Sequence, residues 1–175
     1  MLVPIAVVVV VLVGALLAYA ATRPDSLHVT RTAGIGAPPE KIFPHINDFH
    51  RWVDWSPYEG RDPTMKRTHS GAAEGRGAVY EWPGNRQVGS GRMEITDTAY
   101  PSRITITLDF ITPFEGHNVA EFTLVPRDGQ TNVTWSMKGP SAFMTKLVGV
   151  FLNMDTMIGK DFETGLANLK ALAEK

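Results

Sequence analysis

The chain has 175 residues, 43% of them hydrophobic and 20% charged, with a formal net charge of -1 and no cysteine. Balanced charge and singly scattered Lys and Arg exclude an electrostatic footprint for nucleic acid, and the missing cysteines exclude disulfides, thiol nucleophiles and thiolate metal sites. Behind an apolar leader, the remaining ~150 residues fit one domain burying roughly 70% of its unfolded-chain surface.

From Leu2 to Ala21 the sequence carries no charge and is mostly Val, Leu and Ala. Twenty helical residues at ~1.5 Å each reach the ~30 Å of a bilayer's hydrocarbon layer. The pattern predicts a transmembrane helix over 1–22, a single-pass N-terminal anchor in a membrane, with the side that the domain occupies undetermined. Ala18-Tyr19-Ala20 also matches the small-x-small pattern of a cleaved signal peptide, which would leave the domain secreted or periplasmic. Residues 23–26 read as a polar linker and 27–175 as a ligand-binding domain.

Leu27, Val29 and Arg31 alternate with His28, Thr30 and Thr32 as a first strand. Pro38-Pro39 opens a helix, because the first turn tolerates a missing N–H and favours the acid at Glu40. Ile42, Phe43, Ile46 and Phe49 follow at helical spacing, Pro44 predicts a kink or a late start, and 50–54 predicts a second short helical turn. From Thr64 the period becomes two. Turn signals divide strands at 64–70, 77–83, 87–98, 103–111, 117–126 and 131–138, and such short connections predict an antiparallel meander. After Gly139-Pro140, residues 145–174 read as one long helix striped by Leu147, Phe151, Met154, Ile158, Phe162, Leu166 and Leu169. Gly159 and Gly165 inside it predict close approach by the sheet or a ligand.

This α+β order resembles the START-like helix-grip fold of the SRPBCC superfamily, and most of all its small bacterial polyketide cyclase/dehydrase-like proteins. The likeness rests on Ala37-Pro38-Pro39-Glu40-Lys41-Ile42-Phe43, Trp52 to Pro57, Asp62-Pro63-Thr64-Met65, Gly129 with Thr131-Asn132-Val133-Thr134-Trp135, and Gly159 to Glu163 with Gly165 to Lys170. It covers about residues 27–173. It implies a curved seven-strand antiparallel sheet wrapped around a long C-terminal helix, with two small helices after the first strand. It also implies a hydrophobic cavity between sheet and helix for a lipid, polyketide or other apolar molecule, with catalysis in a minority of members.

Strand phase supplies cavity candidates independently. If each strand's core face carries its large apolar residues, Tyr80, Trp82, Met93, Leu108, Phe122 and Trp135 point inward, and Asn118 falls in phase with Phe122. Met154, Met157 and Ile158 of the closing helix complete the set, while Trp52 and Trp55 fall where the fold caps the cavity entrance. Aromatic and thioether side chains offer large apolar surface with few polar demands, and plain core packing is the competing reading of each. The five histidines form no i,i+4 pair and no phosphate loop or nucleophile elbow occurs, so no metal, cofactor or catalytic set is expected. The leading expectation is a membrane-anchored binding protein for a hydrophobic small molecule or lipid. The alternatives are a cyclase or dehydratase using a cavity acid or base, with Tyr80, Asn118, Glu81 or Glu121 as candidates, and an interaction module for a membrane partner.

Overall fold

A computed structural model describes residues 2–62, 64–86 and 88–175. Pro63, part of one family motif above, and residue 87, the expected start of the third meander strand, lie outside the described residues. The elements are α1 (Leu2–Ala21), β1 (Ser26–Ile35), α2 (Pro39–Asn47), a 3-10 helix (Phe49–Asp54), β2 (Thr68–Gly71), β3 (Ala78–Pro83), β4 (Ser90–Ala99), β5 (Arg103–Thr112), β6 (Gly116–Arg127), β7 (Gln130–Pro140), α3 (Phe143–Phe151) and α4 (Met154–Ala173).

The strands form one antiparallel sheet in the order β1-β7-β6-β5-β4-β3-β2. Hairpins keep β2 to β7 adjacent, and β1 joins the far edge with Val29 opposite Met137 and Arg31 opposite Trp135. Pro39 starts α2, where a missing N–H is tolerated, and the helix runs through Pro44 rather than starting after it. The sheet's inner face carries Val29, Ile95, Ile104, Ile106, Phe122, Leu124 and Val133, all buried. α4 lies against β1 and β7 on that face.

Two glycines set how closely α4 can lie. A Cβ at Gly159 would collide with the Arg31 guanidinium, and one at Gly165 would stand 2.8 Å from Trp135 Cζ3 and 3.0 Å from Pro57 Cδ. Arg31 uses the gap to reach Asp155 at 3.1 Å and Glu163 at 2.8 Å. Close approach therefore belongs to the sheet and its neighbours.

Two expectations are corrected. The single helix expected over 145–174 is two helices, because Leu152 is extended and Asn153 starts a new N-terminus by accepting a hydrogen bond from Thr156 N at 3.0 Å. The expected anchor is also overturned: among the described residues no helix is long and apolar enough to cross a membrane. The helix α1 packs against α3. Exposed apolar side chains concentrate on these two helices, including Val10, Leu12, Phe143 and Phe151, which is the kind of patch an interaction module requires.

Candidate functional site

The inner face is closed at one end and open at the other. Along β5, Ile104 and Ile106 are buried while Leu108 and Phe110 are half-buried; along β6, Leu124, Phe122 and Ala120 are buried while Asn118 is half-buried. Gly139 on β7 and Leu27 on β1 repeat the step. Cross-strand pairing puts Leu108 beside Asn118 and Leu27 beside Gly139. The geometry of α4 explains the gradient. Arg31 holds Asp155, the second residue of α4, so the helix begins near Arg31. Leu27 lies four residues, or ~13 Å, further along the strand. Over that distance the sheet extends past the start of α4, while α3 packs on α1 instead.

At the closed end aromatic rings fill the space where the sequence predicts a hollow. Trp135 stacks on Phe162 with centroids 4.0 Å apart and on Phe122 at 4.9 Å, and Trp52 and Trp55 meet both Phe122 and Trp135 edge-on or nearly so. Trp52 and Trp55, expected at an entrance, are buried, and their indole N–H groups donate to Ile46 O at 3.0 Å and His45 O at 2.9 Å. Anchoring the α2 segment occupies both donors, because a buried N–H left unpaired is costly.

The remaining candidates border the open end. Trp82 packs over Gly91, whose Cβ would stand 2.6 Å from its ring, and faces Phe110 edge-on at 6.3 Å. Met93 is buried beside Leu108. Met154 and Ile158 are half-buried, and Met157 is 48% exposed at the α3–α4 junction. Glu81 is exposed, and both it and Glu121 lie out of phase with the inner face. Two clefts are present on the surface. One of about 580 Å³ lies between the β3–β4 and β5–β6 turns, lined by Gly84, Asn85, Arg86, Gly89, Thr112 and Pro113. The other, about 430 Å³, sits at the α3–α4 junction against Leu152, Thr156, Met157, Lys160 and Asp161.

Beside Tyr80 the structure assembles a polar group that periodicity does not reveal. Glu59, 8% exposed, accepts the Tyr80 hydroxyl on Oε1 at 2.7 Å and Arg67 Nε on Oε2 at 2.5 Å. Burial, followed by the Glu59 hydrogen bond, pushes the Tyr80 phenol up from its ordinary range. His69 stacks on the Tyr80 ring at 5.0 Å, and His50 stacks on His69 at 4.1 Å. Burial and then the neighbouring His50 lower the His69 pKa. Glu59 and Arg67 stand in a loop without alternation, so only the presence of two opposite charges eight residues apart hinted at them. Among the described residues no group of three or more His, Asp or Glu is placed to hold a metal.

The arrangement has relatives. The fold matches protein CV1439 from Chromobacterium violaceum at 18% identity and a TM-score of 0.61, covering 87% of this chain and 99% of that one. The Aha1 dimer from Colwellia psychrerythraea matches at 15% and 0.60, covering 85% and 96%. Major latex-like protein 151 from Panax ginseng matches at 11% and 0.62, covering 87% and 100%. At these identities the structures establish the fold alone. No curated protein matches in sequence. The family of polyketide cyclases, dehydrases and lipid transport proteins matches residues 26–174, which spans the whole sheet and α4, and the chain belongs to that family.

Proposed function

We propose that the chain binds a hydrophobic small molecule or lipid on the open half of the sheet's inner face. The observation that carries this reading is the run of half-buried residues Leu108, Phe110, Asn118, Met154 and Ile158 on the side of the sheet that elsewhere forms the core. Apolar surface left partly in water on a concave face lowers its free energy by covering itself, at about 25 cal/mol per Å². Family membership supports the same reading. Acid–base chemistry has weaker support, since Glu59 already accepts a hydrogen bond on each carboxylate oxygen.

The test is binding of the neutral fluorophore N-phenyl-1-naphthylamine to the full chain and to Leu108→Arg. A guanidinium placed in the trough must be desolvated by any apolar occupant, so affinity should fall at least about tenfold. Unchanged affinity would contradict the proposed location.

A further inference from the structure

Resting on the ligand-holding reading, we infer that the occupant is an apolar molecule carrying one neutral hydrogen-bonding oxygen, a carbonyl or a hydroxyl, and that Asn118 selects it. Asn118 lies on the inner face beside Leu108. Its carboxamide spreads between two residues without side chains: Oδ1 is the atom that a Cβ at Gly139 would strike, and Nδ2 stands 3.7 Å from where a Cβ at Gly116 would be. Around the amide the sheet surface is therefore bare backbone, with Leu108 and Phe110 as half-buried apolar neighbours.

The other polar side chains on this part of the inner face are already engaged. The Tyr80 hydroxyl donates to Glu59, the Trp82 N–H is 3.4 Å from Val88 O, and Arg31 is held by Asp155 and Glu163. The Asn118 carboxamide makes no hydrogen bond to another described residue. An apolar occupant covering it would strip its water, leaving a donor and an acceptor unpaired, which is a cost that the ligand removes by supplying an oxygen. Near this face Arg31 is paired with Asp155 and Glu163, and Arg67 with Glu59, so neither guanidinium is free to compensate an ionised headgroup. The site thus distinguishes neutral ketones and alcohols from hydrocarbons of the same shape.

The experiment compares two fluorophores on the full chain, 6-propionyl-2-dimethylaminonaphthalene and its deoxygenated analogue 6-propyl-2-dimethylaminonaphthalene. The wild type should bind the ketone about tenfold more tightly than the analogue, the order that one net hydrogen bond supplies. In Asn118→Leu that preference should vanish while analogue affinity is kept, and the ketone's emission should lose the red shift of a hydrogen-bonded carbonyl. Asn118→Gln, which keeps the amide but displaces it, should give an intermediate preference and guards against misfolding of the leucine variant. Equal binding of the two probes by the wild type, or a preference that survives in Asn118→Leu, overturns the inference and leaves the ligand-holding reading intact. Failure of both probes to bind overturns that reading and the inference with it.

Discussion

Arg31, Gly159 and Gly165 control how α4 meets the sheet, and each acts through space rather than propensity. Alanine at Gly165 would gain up to ~1 kcal/mol of helix propensity but must push against Trp135 and Pro57. Overpacking of this kind costs about 1–3 kcal/mol, so Gly165→Ala should destabilise by roughly 1–2 kcal/mol in urea unfolding. At Gly149 on α3 a Cβ would meet nothing within 4 Å, and Gly149→Ala should instead stabilise by about 0.5–1 kcal/mol. The two histidines whose pKa burial lowers, His45 and His69, set a pH trend. Their folded pKa lies below the unfolded value of about 6.5, so their contribution is full above that pH and is lost as pH falls through the window beneath it. Exposed His117, raised by Asp109, works in the opposite sense and is screened by solvent. Urea midpoints should decline between about pH 7 and 5, and His69→Phe, which keeps the stack on Tyr80, should flatten that decline; an unaltered slope would contradict the assignment.

Among the elements, strand phase was the most legible. Alternation alone puts Leu108 and Asn118 on the inner face of their strands, and the two are paired neighbours on β5 and β6. Phase cannot distinguish a side chain lining a hollow from one filling it. Trp135 reads as cavity wall in sequence and is stacked against Phe162 in the fold, because ring complementarity depends on where a distant helix docks. The break between α3 and α4 was hidden for a related reason. The apolar stripe steps from Phe151 to Met154, over Leu152 and Asn153, without interruption, while the cap depends on one local side-chain hydrogen bond from Thr156 N. Asn153→Ala should cost about 1 kcal/mol and raise amide exchange in the first turn of α4; unchanged protection there would show that packing alone defines the boundary.

For the whole molecule, the sheet is longer than the helix that covers it. A solid aromatic core at the closed end supplies rigidity, and the open end leaves half-buried apolar surface, which the proposed function assigns to an occupant. The family likeness was legible from motif order across 27–173 and agrees with the matched residues 26–174. The Glu59–Arg67 pair was not, since loop residues carry no period. The most direct test of the account is methyl NMR of the full chain, labelled at Ile, Leu and Met, during titration with N-phenyl-1-naphthylamine. Binding at the open end should give saturable shifts with a common affinity at Leu108, Met154 and Ile158, and none at Ile35, Leu124 or Leu169. Shifts confined to the exposed residues of α1 and α3, or no saturable shift at all, would contradict it.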